Sequence, residues 1–264
     1  MTISEAPKLI NNTVLKHLKI KLMINTEQTL EQLEQLKLKG MAQAYRTTLD
    51  LPSHELPTAH ELLAILAEAE YHNRIDQRMQ MYLKISNLRY DAILEQVQCS
   101  PTRNLSRSQI VALTDCAFVS RGENILITGS TGSGKSYLAC AFGRQACALG
   151  YKTLYLGMNR FTEKLSLAKI EGLYIKLLNQ IEKVPLVIMD DFGLSPLENQ
   201  VKIALLQVLE DRYGKRSTII TSQLPVNKWH QYINEPTLAD AIMDRLSGSA
   251  HRFELKGESL RRKS

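Results

Sequence analysis

Residues 124–136 read NILITGSTGSGKS, an apolar run followed by a glycine-rich turn that ends in a lysine and a serine. The spacing Gly-x-x-x-x-Gly-Lys-Ser is that of a phosphate-binding loop, whose backbone N–H groups surround the phosphates of a nucleoside triphosphate. The residues predicted to bind ATP are Gly129, Ser130, Thr131, Gly132, Ser133, Gly134, Lys135 and Ser136. Lys135 is expected to reach the β- and γ-phosphates, and the Ser136 hydroxyl is expected to bind Mg²⁺. Residues 137–150 predict a helix that ends at a glycine and points its N-terminal dipole at the phosphates.

A second apolar run, residues 185–189, is followed directly by two carboxylates, Asp190 and Asp191. A buried strand that ends in acids commonly accompanies a phosphate-binding loop. Asp190 is therefore expected to hold Mg²⁺ through water, and Asp191 is predicted to be the general base that orients and deprotonates the attacking water. The alternative is that both acids merely end the strand and cap the next turn.

Polar residues also follow the next predicted strand, residues 217–221. Ligands of open α/β sheets bind at the carboxyl ends of the strands, so Gln223, or else Thr221, is predicted to hold the γ-phosphate or the attacking water. The competing interpretation is a simple turn before Pro225.

Arg245 lies near the end of a predicted helix that starts at Pro236, with Thr237 and Asp240 as its expected capping pair. An arginine there is placed to reach the nucleotide of a neighbouring subunit, where it would neutralise charge on the transferring phosphoryl group. Alternatively, Arg245 only complements its own helix C-terminus or pairs with an acid.

Composition sets broader limits. The 264 residues are 44% hydrophobic and carry a formal net charge of +6, which allows a sizeable core and favours polyanionic partners without identifying one. No run approaches the ~18 apolar residues of a membrane span, and no signal peptide is evident, so a cytoplasmic protein without membrane contact is expected. The four cysteines show no Cys-x-x-Cys spacing and are predicted to be reduced, buried thiols.

The chain divides into three predicted segments. Residues 1–25 form an unassigned N-terminal extension, residues 26–98 a small all-α domain, and residues 99–264 an α/β ATPase domain, with the boundary at this point or slightly earlier. A helix start is marked by a Thr-x-x-Glu capping box at residues 58–61. Basic residues on or near that helix are interpreted as a solvated face: Arg74, Arg78, Lys84 and Arg89. From residue 124 onward, apolar strands alternate with helices, which predicts a parallel sheet with further strands at 153–156, 186–189, 217–221 and 251–255.

These motifs resemble the IstB-type ATP-binding helper proteins of insertion sequences, relatives of the DnaC helicase loaders within the AAA+ ATPases. The resemblance covers the chain from about Leu36. The phosphate-binding loop and the acid pair are common to many ATPases, whereas the blocks from residue 221 onward are more specific to this family. The matching blocks are LKLKGMA at 36–42, RGEN at 121–124, RYGKRSTIITS at 212–222, Leu224-Pro225, Trp229, AIMDRL at 241–246 and GESLR at 257–261.

The resemblance implies a P-loop AAA+ core with a parallel five-stranded sheet in the order 5-1-4-3-2, preceded by the small all-α domain. It also implies a helical insertion near residues 159–183 and little or no C-terminal lid. Arg245 would match the family's arginine finger, and Arg261 a second arginine that faces the phosphates. Gln223 stands where the family usually has asparagine.

The function implied by the resemblance is a Mg²⁺-dependent ATPase that is stimulated by DNA and by oligomerisation. Its partners would be double-stranded DNA, a transposase that it activates, and further copies of itself in a ring or helical filament with ATP sites between subunits. The helical domain would contribute DNA or partner contacts. The alternative within the same fold is a DnaC-like replicative helicase loader. A monomeric P-loop kinase would need an acceptor pocket and a mobile lid, which the sequence does not indicate.

Overall fold

A computed structural model describes residues 26–260 of the chain. The predicted extension, residues 1–25, and Arg261 lie outside the described residues. The described chain forms two compact units, which divide between Gln77 and Arg78.

The first unit is helical. Residues 26–35 are helical and are followed by helix α1, Lys39–Leu49, and helix α2, Ala59–Ser86, whose last turns belong to the second unit. Helix α2 starts at the predicted capping box, because the Thr58 N–H donates to the Glu61 carboxylate at 2.8 Å and the Glu61 N–H donates to the Thr58 hydroxyl at 3.3 Å.

Helical structure ends earlier than the sequence pattern predicts. Helix α2 stops at Ser86, Asn87 is left-handed with φ 53°, and residues 87–98 are irregular apart from one 3₁₀ turn at Leu94–Gln96. Side chains of this segment, Ala92 and Leu94 among them, are buried in a core of the second unit. By packing, the segment therefore belongs with the α/β unit, while a functional division at residues 98/99 stays a prediction.

The second unit is built on a parallel sheet. Its strands are β1, Asn124–Gly129; β2, Thr153–Gly157; β3, Leu186–Phe192; β4, Ser217–Ser222; and β5, Ala250–Leu255. All neighbouring pairs are parallel and the order is β2-β3-β4-β1-β5, which confirms the predicted order 5-1-4-3-2. The helices are α3, Arg107–Val111; α4, Ala117–Ser120; α5, Lys135–Ala148; α6, Met158–Ile170; α7, Tyr174–Glu182; α8, Asn199–Arg212; α9, Trp229–Ile233; and α10, Pro236–Ser247.

Each face of the sheet packs on its own core. On β1, Ile125 and Ile127 point into one core together with α5, while Leu126 points into the other with α6 to α10. Strands that are buried on both faces consist of continuous apolar runs in the sequence, which explains why the positions of these strands could be predicted. The carboxyl ends of β1, β3 and β4 meet at one edge of the sheet, and the site lies there.

The cap of helix α10 differs from the predicted one, and the predicted insertion between β2 and β3 is helical. Helix α10 is capped by Glu235, whose carboxylate accepts the Leu238 N–H at 2.8 Å, so the predicted Thr237–Asp240 pair is wrong. Helices α6 and α7 occupy the predicted insertion between β2 and β3.

The predictions about thiols and membrane spans can also be compared with the structure. All four cysteines are free; Cys116, Cys140 and Cys147 are buried and Cys99 is half-buried. None of the helices within residues 26–260 is long and apolar enough to cross a membrane.

Candidate functional site

The glycines of the phosphate-binding loop hold a backbone shape that other residues resist. Gly129 has φ 148° and Gly132 has φ 79°, a region that L-amino acids rarely adopt. A Cβ atom at Gly129 would collide with the Leu255 carbonyl, and one at Gly132 would collide with the Ser259 side chain. The loop is thus closely packed against strand β5 and the residues after it.

The loop borders a cavity of about 510 Å³. The residues that line it are Arg89, Tyr90, Thr131, Gly132, Gly134, Lys135, Ser136, Tyr137, Asp191, Leu194, Gln223 and Leu260. Most of the predicted site residues from the loop therefore meet Asp191 and Gln223 around one space. The Lys135 amine donates to the Ser130 carbonyl at 2.9 Å, which holds its positive charge over the loop.

Asp190 is fully buried beside the loop. The Ser136 hydroxyl donates to its Oδ1 at 2.8 Å, and the Tyr155 hydroxyl donates to Oδ2. Burial, followed by the contact with Asp190, raises the pKa of Tyr155, so this phenol stays a neutral donor at ordinary pH.

The Ser136–Asp190 pair fits Mg²⁺, which takes hard oxygen ligands from one or two protein groups and completes its shell with phosphate oxygens and water. Within residues 26–260, no cluster of three or more His, Cys, Asp or Glu side chains offers an all-protein metal cage.

The two acids lie within a bulge of strand β3. The pairing of β3 with β4 shifts between Met189 and Phe192, and Asp191 adopts a left-handed conformation with φ 62°. As a result Asp190 points inward, whereas Asp191 lines the cavity with a side chain that is 33% exposed. Strained backbone of this kind often accompanies a functional side chain.

The two predicted sensor candidates have different surroundings. Thr221 is fully buried, and its hydroxyl accepts the Asp191 N–H at 3.1 Å and donates to Asp190. It therefore holds both acids in place without lining the cavity. Gln223 does line the cavity, and its carbonyl oxygen accepts the Thr131 hydroxyl at 2.8 Å. Of the two, Gln223 is the one placed to meet a ligand.

Arg245 is absent from the residues that line this cavity. Its guanidinium pairs with Glu210 at 2.6 Å and with Asp244, and it lies over the Tyr213 ring at 4.8 Å. The contact with Glu210 raises the pKa of Arg245 and lowers that of Glu210. The ion pair matches the interpretation in which Arg245 pairs with an acid. Its action on the nucleotide of a neighbouring subunit stays a prediction. The role of Arg261 also stays a prediction.

The structure adds residues that the sequence did not single out. Arg103 donates to the Ser133 carbonyl at 2.5 Å, and the Leu260 N–H donates to the Gly132 carbonyl at 3.0 Å. Both contacts join the loop to distant parts of the chain. The block at residues 257–261 was visible as a motif, but nothing local in the sequence shows that it lies on the loop.

Arg89, which the sequence pattern assigned to a solvated helix face, also lines the cavity. Its Nη1 lies 3.4 Å from Asp191 Oδ2 and 3.6 Å from Asp190 Oδ2. The interpretation of Arg89 as part of a solvated helix face is wrong, because the residue follows the end of α2 and turns into the cavity.

Comparison with known proteins identifies relatives over most of the chain. A family model described as IstB-like ATP binding protein matches residues 31–264. A putative insertion sequence ATP-binding protein of Sinorhizobium fredii is 43% identical over 234 residues, which cover 89% of this chain and 96% of the relative. The putative ATP-binding protein of insertion sequence IS21 from Pseudomonas aeruginosa is 29% identical over 231 residues, covering 88% and 87%.

Solved structures with the same fold include DnaI, with a TM-score of 0.53 and 21% identity over 64% of this chain and 90% of that one. The DnaC helicase loader has a TM-score of 0.52 and 22% identity over 63% and 98%. At these identities the likeness concerns the fold, which is that of a P-loop AAA+ core.

Proposed function

Because the chain belongs to the family of IstB-like ATP-binding proteins of insertion sequences, we propose that it is a Mg²⁺-dependent AAA+ ATPase that assembles on double-stranded DNA and assists a partner transposase. The observation that carries the ATPase part is the meeting of Lys135, Ser136 and Asp191 around one cavity. The DNA and transposase parts rest on the family and on the net charge of +6. This role would be carried out in the cytoplasm.

In the proposed reaction the loop binds the phosphates and the Lys135 amine turns from the Ser130 carbonyl to the β- and γ-phosphates. Asp191 accepts a proton from the attacking water, and Gln223 orients that water or the γ-phosphate. Thr221 keeps Asp191 in the required position. Mg²⁺ held by Ser136 and Asp190 would neutralise phosphate charge.

Assembly would complete the site. The cavity of one chain includes no contribution from Arg245, which is paired with Glu210 at 2.6 Å on helix α8. We propose that in the oligomer Arg245 leaves this pair and contacts the nucleotide of the neighbouring subunit. Such arginines contribute roughly 10³–10⁵ in rate where they have been measured.

The decisive experiment combines imaging with two variants. The protein is imaged by electron microscopy with duplex DNA and a non-hydrolysable ATP analogue, and we expect a ring or a helical filament around the DNA. Lys135→Ala should abolish nucleotide binding and assembly, whereas Asp191→Asn should bind ATP, assemble and hydrolyse at least roughly 10²-fold more slowly. A monomer with normal hydrolysis would contradict the proposal.

DNA binding has its own measurement. The logarithm of the association constant should fall with the logarithm of salt concentration, with a slope of about −0.9 for each phosphate neutralised. A flat response would exclude the DNA contact while leaving the ATPase proposal intact. The helicase-loader alternative shares the fold with the DnaC and DnaI structures, so it is tested by binding to a purified hexameric replicative helicase and to the transposase in parallel.

A further inference from the structure

Arg89 places a second cation at the mouth of the nucleotide cavity. It lines the cavity with Lys135, and its guanidinium lies 3.4 Å from the Asp191 carboxylate. The side chain is 45% exposed, so it has room to change its direction. Its partner acids are 101 and 102 residues away in the chain, so neither contact follows from helix geometry.

The charges around the cavity show why this contact matters. Without a ligand, Asp190 and Asp191 bring two negative charges to the cavity edge, and Arg89 lies within 3.6 Å of both. ATP brings further negative charge to the same place. An arginine fork binds phosphate oxygens at least as well as carboxylate oxygens, so the arriving phosphate competes with the acids for the guanidinium.

The position of the γ-phosphate follows from its two neighbours. Lys135 reaches the β- and γ-phosphates in this type of loop, and the water that attacks the γ-phosphate must contact Asp191 if Asp191 is the base. The γ-phosphate therefore lies close to Asp191, within reach of the Arg89 guanidinium. The β-phosphate lies deeper, among the N–H groups of the loop.

We propose that Arg89 binds the γ-phosphate of ATP within its own chain, exchanging its contact with Asp191 for the phosphate oxygens, and so makes the site prefer ATP to ADP. When only ADP is bound, Arg89 returns to the two acids. The inference rests on the proposed ATPase function, and it assigns to this site a cation that comes from the segment after helix α2 and not from another subunit.

The surroundings keep Arg89 charged and oriented. Hydrogen bonding with Tyr155 and the nearby Asp190 carboxylate raise its pKa, and its guanidinium lies 5.5 Å from the Tyr90 ring. The segment is also tied to helix α5, because Asp91 pairs with Arg144. Arg144 carries the same charge and anchors the same segment, but it does not line the cavity, which makes it a matched control.

The test is a calorimetric titration of the full chain with AMP-PNP and with ADP, both in the presence of Mg²⁺. Arg89→Ala should weaken AMP-PNP binding roughly tenfold or more, the usual effect of losing a charged hydrogen bond, and should change ADP binding less than about twofold. Arg89→Lys should recover part of the AMP-PNP affinity. Arg144→Ala should leave the ratio of the two affinities at its wild-type value.

The outcomes separate the inference from the proposed function. If the wild type binds neither nucleotide, the ATPase proposal itself fails. If the wild type binds both nucleotides and Arg89→Ala weakens the two affinities equally, or changes neither, then Arg89 does not bind the γ-phosphate. In that case only the inference is overturned. An equal shift of the ratio in Arg144→Ala would also overturn it, because the effect would then come from displacement of the segment. Should Arg89→Ala fail to fold, Arg89→Gln gives the same comparison.

Discussion

Thr221→Val tests whether this threonine holds the catalytic acids or senses the nucleotide. The valine side chain has nearly the same shape, so the substitution removes the hydroxyl with little change in packing volume. That hydroxyl accepts the Asp191 N–H at 3.1 Å and donates to Asp190, at a position with no solvent access. The change therefore leaves the Asp191 N–H without this acceptor and removes one of the two hydroxyl donors to Asp190 Oδ1, because the Ser136 hydroxyl still donates to that oxygen.

The expected cost follows from these two contacts. A hydrogen bond to a charged group contributes about 1.5–3 kcal/mol and a neutral one about 1 kcal/mol, so the free energy of unfolding should fall by roughly 3 kcal/mol. For a unit of this size, that loss corresponds to a melting temperature lower by roughly 6–12 °C. Because Asp191 is held in a left-handed conformation at the bulge, hydrolysis should slow as well, while nucleotide binding by the loop should change little.

The assay is urea denaturation of the wild type, Thr221→Val and Thr221→Ser, with nucleotide affinity and steady-state hydrolysis measured on the same preparations. Serine keeps the hydroxyl and should lose only the part due to its missing methyl group, about 1 kcal/mol. A Thr221→Val protein that is as stable as the wild type and hydrolyses normally would refute the positioning role. A selective loss of ATP binding with unchanged stability would instead make Thr221 the sensor.

Three contacts away from Thr221 also have consequences that can be measured. Arg212 is buried and donates to several main-chain carbonyls, including that of Val184 at 2.7 Å. Arg212→Met should therefore lower the free energy of unfolding, measured by urea denaturation, by roughly 3–5 kcal/mol. A loss below about 1 kcal/mol would contradict this prediction. Hydrogen bonds from Arg121 and His251 lower the pKa of Glu123 from 4.5 to about 2. The ionised carboxylate therefore stabilises the fold above about pH 5, and this contribution is lost as the pH falls towards 2. The stability lost in Glu123→Gln should follow the same pH dependence, as measured by thermal unfolding at a series of pH values. Equal mixing of Arg245→Ala with Asp191→Asn, which is expected to bind ATP and assemble, should restore activity at about one quarter of the sites if the arginine acts between subunits of a symmetric assembly; no rescue would support the ion-pair interpretation.

The loop and the acid pair could be predicted because their chemistry is local. Eight consecutive residues make the loop, and an apolar strand leads directly into it. The same holds for β3, whose buried residues form a continuous run before Asp190. Since parallel strands end at the same edge of a sheet, the meeting of the two motifs also followed once the sheet order was inferred.

The contacts that assign roles to individual side chains could not be predicted. Thr221 and Gln223 are two residues apart and both polar, yet one is buried under the acids and the other lines the cavity. The bulge at Asp191, which brings the Asp191 N–H within 3.1 Å of Thr221, has no composition signal. Arg89 was assigned to a helix face because the sequence is helical in character up to about residue 98, whereas the helix ends at Ser86 and Asn87 is left-handed.

The arrangement of charges suggests why activity would depend on assembly. Among the described residues, Asp190 and Asp191 are matched by two cations that line the cavity, Lys135 and Arg89, so the charge that builds up on a transferring phosphoryl group meets no additional protein cation there. Arg245, the candidate for a further cation by its resemblance to the family's arginine finger, is held by Glu210 at 2.6 Å with a side chain that is 27% exposed. We therefore expect slow hydrolysis by the isolated chain and faster hydrolysis on DNA, where copies are brought side by side. The loop would then bind ATP in the single chain, but hydrolysis would follow assembly.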